Sequence, residues 1–348
     1  MNRQVALPMF AVTLFVLSGC RTYCADQRFD LTAPWKDYQR IVVRSPKGSV
    51  TLRTADVPEI RISGTMRAIA FAPSKAEENL KHVEIIAEPD TSKPSVFVIR
   101  VRHPWWLGSR SVGGSFEIQV PAPCAADIRT RDGAITVSGL TDEAILKTSH
   151  NDVTIDGVTG RVQAWTRNGA IVAENVMGNL TAETTNGPIR VKAIQGDCGL
   201  TTSNGRIVAE SVTGNLTAET TTGRIEAKAI RGTCRLQTSI GTIEAEDIHG
   251  GIEAMVSIGD IRAEVIPPED ADVAARTRYG SIDLTLPAGL KADLDLRTDN
   301  GVVQMGLENV PLRVQLWSQN HVRASINGGG GTRIVAATSS GLITLKSR

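Results

Sequence analysis

Aromatic residues are scarce in this chain of 348 residues: phenylalanine, tryptophan and tyrosine together make up 4%. A core of large rings is therefore excluded, and an interior drawn from the 41% of hydrophobic residues must rely on small aliphatic side chains. Charge of one sign is also lacking. The net charge is +1, so there is no basic field of the kind that nucleic acid calls for. The five histidines, 82, 103, 150, 249 and 321, share no repeat position, and no cysteine spacing resembles a metal site. No serine stands in a nucleophile-elbow pattern, and no glycine-rich loop follows a strand and opens a helix to hold phosphate. No cofactor is expected.

Glycine is abundant and regularly placed. It recurs at 160, 169, 178, 187, 196, 205, 214, 223, 232, 241, 250 and 259, and alternate steps of nine differ, so the repeating unit is eighteen residues. One column at that period holds Ile135, Val153, Ile171, Ile189, Ile207, Ile225, Ile243 and Ile261. A second holds Ile128, Leu146, Ala164, Ala182, Leu200, Ala218, Leu236 and Ala254, and a third Leu140, Val158, Val176, Ile194, Val212, Ile230, Ile248 and Ile266. Within a unit the apolar residues lie two apart, as in Ile207 and Ala209, which is strand rather than helix periodicity. Glycine every nine residues would also penalise a helix. The pattern predicts an all-β parallel solenoid with coils of eighteen residues stacked about 4.8 Å apart. The glycines fall at its corners, often with positive φ, and Asn168, Asn186 and Asn204 fit corner positions before them.

The remaining columns fit stacking in register. Glu174, Lys192, Glu210, Lys228 and Glu246 alternate in sign down an outward ladder. Thr130, Thr148, Thr166, Thr184, Thr202, Thr220 and Thr238 form an inward ladder whose hydroxyls are expected to hydrogen-bond along the column. After Ile266 the period widens: Gly280 and Gly301 follow at steps of twenty-one, and Thr338–Leu345 reads as a last rung.

The N-terminus reads as a targeting segment. Val5 to Leu17 is mostly apolar, too short for a stable span, and ends in Leu17-Ser18-Gly19-Cys20. That tetrapeptide resembles the bacterial lipobox, which implies cleavage before Cys20 and acylation of Cys20, an anchor in the membrane. An ordinary signal peptide with a coincidental cysteine is the alternative. Residue 21 is Arg rather than Asp, which in a Gram-negative lipoprotein implies the outer membrane. The expected organisation is a signal peptide over 1–19, the lipidated cysteine and a tether over 20–34, a β-rich capping region with one short helix over 35–125, and the solenoid over 126–348. Within the cap, Arg40–Arg44 and Ser49–Arg53 read as strands around a turn, and Ser74-Lys-Ala-Glu77 as a capping box opening a short helix. Cys198 and Cys234 fall in one inward column two coils apart, roughly 9.6 Å, beyond the reach of a disulfide. They are expected as free buried thiols, while a bridge between Cys24 and Cys124 stays open.

The β-rich N-terminal segment, Val120-Pro121 leading into Arg129–Val137, and the Thr-x-x-Gly-x-Ile rungs together resemble the bacterial putative-adhesin family of β-helix envelope domains. The resemblance covers residue 36 to the end. It implies a right-handed single-stranded β-helix and an envelope role, and it brings no catalytic residues with it.

For chemistry the best candidates are Glu226, Glu244, Glu246 and Asp260. Stacked carboxylates raise one another's pKa and serve acid–base work on polysaccharides, although Lys228 nearby favours a solvated charged face instead. Trp105 and Trp106 sit in a loop, available to lipid, glycan or a partner, or packed over the end of the solenoid. Trp165 should face outward without an aromatic stripe beside it. Three functions follow as expectations: a lipid-anchored, non-enzymatic adhesin-like binding or structural scaffold, with an envelope protein or glycan as partner; a polysaccharide-active enzyme; and a structural protein that stacks end to end through its exposed last coil.

Overall fold

In a computed structural model the backbone is described from Phe10 on, apart from residues 14, 15, 18, 19, 37, 109, 110, 308 and 309, and side chains are described from Thr22 on. Most of the expected signal peptide, Ser18 and Gly19 of the lipobox, and the side chain of Cys20 therefore lie outside the described residues. The chain folds as an all-β parallel β-helix in two compact units, Met1–Val172 and Ala173–Arg348.

In the second unit each coil gives one strand to each of two parallel ladders. Ile189, Ile207, Ile225, Ile243 and Ile261 follow one another in register down one ladder. Leu200, Ala218, Leu236 and Ala254 do so down the other. All of them are buried. Each isoleucine removed from water contributes about 1.5–3 kcal/mol, so the columns that set the period also hold the coils together.

The third column lies three residues beyond the second inward position of its strand, an odd step that simple alternation does not allow. The backbone supplies the reason. One non-glycine residue per coil stands in the left-handed region: Asn175, Ala193, Ser211, Ala229 and Asp247, with φ between 55° and 57°. That residue shifts the alternation by one, so Ala209 and Val212 both point inward. The strand Ile261–Val265 has no such residue. It alternates strictly, and Val265 rather than Ile266 stacks on Ile248, which corrects the last member of that column.

The threonine ladder also works differently from expectation. Thr202, Thr220 and Thr238 do not bond to one another. Each donates its hydroxyl to a corner carbonyl fifteen residues earlier, on Gly187, Gly205 and Gly223, at 3.2 Å. Thr148 does the same to Gly133 at 2.9 Å. These bonds satisfy buried hydroxyls and carbonyls together. The corner glycines are required for space more often than for φ. Gly205 is not in the left-handed region, yet a Cβ there would overlap the carbonyl of Gly187 in the neighbouring coil.

The second unit does not stack its coils in chain order. Asp272–Tyr279 and Ile282–Leu286 pair with Thr332–Ser340 and Ile343–Ser347, the last strands of the chain. Those in turn pair with Ala292–Asn300 and Val303–Gly306. The final coil is thus interposed between two earlier ones. The rung expected to be last and exposed is covered instead, first by the coil 292–306 and then, in one ladder, by the antiparallel strands His321–Ile326 and Leu312–Trp317.

The first unit has the same device at its start. Arg40–Lys47 pairs with Ala125–Asp132 on one side and Val96–Arg102 on the other, and Val50–Thr54 lies between Ile135–Ser138 and Phe116–Val120. The two strands around Gly48 are therefore not a hairpin but one coil, interposed between later ones. Residues 23–34, expected as part of a tether, form a twelve-residue strand antiparallel to Glu59–Ala70. Their alternation of apolar and polar residues, with Ala25 and Phe29 buried, explains why. The strand Phe10–Thr13 pairs with Cys24–Gln27. The helix runs Pro73–Leu80, opened by Pro73 in its first turn; Ala72 caps it without a side-chain bond, so Ser74 is not the cap of a capping box.

Candidate functional site

The expected carboxylate patch lies on the outward face of the second unit, and its members are committed to the framework. Glu226 and Glu244 are stacked neighbours, as their spacing requires. Guanidinium groups separate them from any role as a carboxylate pair. Arg206 hydrogen-bonds Glu226, Arg224 lies 3.3 Å from Glu226 and 2.7 Å from Glu244, and Arg262 lies 3.1 Å from Glu244. The bond to Glu226 raises the Arg206 guanidinium above its ordinary pKa. The result is a relay, Arg206–Glu226–Arg224–Glu244–Arg262, with more cations than anions. Glu246 pairs with Lys228 at 3.0 Å, and that hydrogen bond raises the Lys228 ammonium. This is the one ion pair seen along the alternating ladder among the described residues.

Asp260 is drawn away from the other three. Its carboxylate accepts the backbone N–H of Ser281 in the next coil at 2.8 Å. The same capping recurs at the opposite corner, where Asn179, Asp197 and Asn215 accept the N–H of Asp197, Asn215 and Thr233 at 3.1, 2.9 and 2.9 Å. Side-chain oxygens one coil apart thus satisfy corner N–H groups that the ladders leave over. Among the described residues no cluster of histidine, cysteine and carboxylate groups can hold a metal ion. His150, His249 and His321 each bind one aspartate, Asp132, Asp247 and Asp295, at 2.8, 2.9 and 2.9 Å. The cysteines 24, 124, 198 and 234 are free, and burial pushes the Cys124, Cys198 and Cys234 thiols up to about 12.

The tryptophans separate into different environments. Trp165 is half-buried on the outward face beside Lys147, with no ring stacked on it. Trp105 is 92% exposed and Trp106 53% exposed. Trp106 meets the ring of His82, edge to face at 5.1 Å.

No family model and no curated protein sequence matches this chain. Solved crystal structures similar to it include two described as adhesion proteins. One is described as a putative cell adhesion protein from Clostridium sporogenes, with 9% identity, 98% of this chain and 100% of that chain covered, and a TM-score of 0.18. The other is described as a putative adhesin from Bacteroides fragilis, with 10% identity, 91% and 96% coverage, and a TM-score of 0.26. Superposition this loose transfers no ligand or partner.

Three exposed apolar features escaped the sequence reading. Ile240, Ile258 and Tyr279 stack in register at one corner of the second unit, each about half exposed at 52%, 51% and 54%. They continue the column of Asn186, Asn204 and Thr222, where the amide of Asn204 donates to Asn186 at 3.0 Å. The switch from amides to aliphatic groups in one column was the available signal. Leu312, Val314, Leu316 and Trp317 lie on an edge strand whose six residues are all exposed. Phe71, 81% exposed, stands beside the end of the strand Glu59–Ala70.

Proposed function

We propose that this protein is a lipid-anchored β-helix of the bacterial cell envelope that acts by surface contact as an adhesin-like scaffold. The observation that carries the reading is the ladder Ile240–Ile258–Tyr279, a contiguous strip of half-exposed apolar side chains stacked in register. Stacked apolar side chains left in water lose free energy unless a partner covers them. Of the carboxylates offered by the sequence for catalysis, Glu226 and Glu244 are meanwhile held by arginines, Glu246 by Lys228 and Asp260 by the Ser281 N–H. The anchor rests on the lipobox resemblance at Cys20.

Proximity labelling in the intact envelope tests the contact strip. Replacing Ile258 by Asn and Tyr279 by Ser should remove specific neighbours from the labelled set while circular dichroism stays unchanged. An identical labelled set overturns the strip. Polysaccharide cleavage lost on Glu244→Gln would establish the enzyme instead. Palmitate labelling should vanish in Cys20→Ala, and its persistence overturns the anchor.

The fully exposed edge strand Leu312–Trp317 favours a second reading, self-association. An edge with free backbone groups and an apolar row is a template for pairing with another chain. Sedimentation should show concentration-dependent oligomers that Val314→Lys abolishes; a monomer at all concentrations excludes it.

A further inference from the structure

Three strands of the first unit meet at one end of their sheet. Tyr23 opens Tyr23–Pro34 and pairs with Ala70, the last residue of Glu59–Ala70. Val112 opens Val112–Val120 and pairs with Ala68. Phe71 follows Ala70 directly. The segment 103–108 approaches the same end, because Ser111 after it accepts the N–H of Ile69 at 2.8 Å. Leu107, 4% exposed, plugs this segment into the core and turns back on Pro104 through an N–H bond of 3.0 Å. Trp105 and Trp106 are left outside. Phe71, Trp105 and Trp106 at 81%, 92% and 53% exposure are therefore held at the same end by a rigid base.

Cys20 stands three residues before Tyr23, a reach of roughly 10 Å at full extension. Acyl chains on Cys20 enter the bilayer within that distance of Tyr23, and Ala70 and Phe71 lie on the adjacent strand. Tryptophan belongs energetically at the boundary between headgroups and hydrocarbon, where one side of the indole is apolar and its N–H stays wet. The carbon surface of Trp105 has no protein neighbour to cover it, and the nearest apolar phase is the membrane that holds the anchor.

We infer that Phe71, Trp105 and Trp106 insert into the headgroup region of the lipid bilayer and seat this end of the first unit against the membrane. This rests on the lipid anchor proposed above. An acylated cysteine alone leaves the protein free to swivel on its residues 20–22; an aromatic footing beside it fixes the angle at which the unit meets the membrane. Near this end Lys75 pairs with Glu78 at 2.9 Å and Arg67 with Asp26 at 2.7 Å.

The test uses the full-length protein purified from bacterial envelopes and reconstituted in phosphatidylethanolamine–phosphatidylglycerol vesicles carrying a brominated phosphatidylcholine. Bromine quenches tryptophan fluorescence only from within the bilayer. The wild type should be quenched, and the double variant Trp105→Ala with Trp106→Ala should lose that quenching, with circular dichroism unchanged because both side chains are exposed. Phe71→Trp should add a further quenched component. Parallel palmitate labelling separates the two ideas. Label on Cys20 with no quenching dependent on Trp105 and Trp106 overturns the footing and leaves the anchor standing. Quenching without label upholds the footing and removes the anchor. Absence of both overturns both. Cross-linking of Trp105 to an envelope protein, with no quenching, assigns the cluster to that protein and overturns the footing.

Discussion

The hydroxyl of Thr298 donates to the carbonyl oxygen of Gly341, forty-three residues further along the chain, at 3.1 Å. Thr338 of that later coil donates in turn to Gly280 at 3.0 Å. The backbone repeats the pattern, with Gly280 N–H on Ser340 and Gly341 N–H on Asn300. The coil 292–306 therefore has no docking surface until the last coil is in place. A chain lacking residues 332–348 should lose protection from proteolysis and hydrogen exchange over 292–326 as well, while Cys198–Ile258 keeps it. Protection of 292–326 in the truncated chain would show that this segment stacks directly on 272–286.

How much of this was legible follows from what a repeat encodes. Register between successive coils was readable, because an isoleucine at 207 has its best neighbours at 189 and 225 and nowhere else. The stacking order at the ends was not. Gly280, Gly301 and Gly341 occupy like corners, and Gly341 packs against Gly280 just as Gly301 packs against Gly341, so nothing in these residues marks the order. Which coil goes between is decided by chain reversal in the strands 312–326, a feature without period. The stacking of Glu226 on Glu244 was readable from their spacing, but arginines at 206, 224 and 262 pair with them from positions that do not all belong to one column. Exposure of Trp105 and Trp106 was beyond sequence reasoning, since a loop tryptophan is as readily buried as displayed.

Ala229 stands at φ 55°, in a column otherwise filled by Gly139, Gly157, Asn175, Ala193, Ser211 and Asp247. An L side chain in the left-handed region costs roughly 1–2 kcal/mol, and glycine costs about 0.5–1 kcal/mol of chain entropy. Ala229→Gly should therefore stabilise the protein by about 0.5–1 kcal/mol. Ala227→Gly, two residues away at a buried strand position, should destabilise it by about 1 kcal/mol. Thermal or urea unfolding of the two variants checks the opposite signs; equal destabilisation would remove the left-handed column.

Ile207 is fully buried between Ile189 and Ile225. Ile207→Asp places a charge without a partner in the core and should cost more than about 4 kcal/mol, enough to unfold the coils around it. Ile207→Val removes one methylene and should cost about 0.5–1.5 kcal/mol. Circular dichroism and limited proteolysis report both. Retained β-structure and protease resistance in the aspartate variant would contradict the inward column.

Cys198 and Cys234 flank Leu216 in one inward ladder, and burial holds both thiols near a pKa of about 12, against an ordinary value of 9.0. Cys124, buried and donating to the Ala125 carbonyl at 3.2 Å, is raised to about 12 as well. Only the thiolate alkylates, so at pH 8 these three should react with iodoacetamide far more slowly than the half-exposed Cys24, and at ordinary rates after denaturation. The sign of the stability effect follows from the raised values. The folded state keeps the protons that the unfolded chain releases, so the contribution is fully present below pH 9 and is lost as pH climbs from 9 towards 12. Alkaline unfolding midpoints should fall steeply over that window, and Cys198→Ala with Cys234→Ala should flatten the fall. A variant that loses stability with pH as steeply as the wild type would mean that the buried thiols do not govern the alkaline limit.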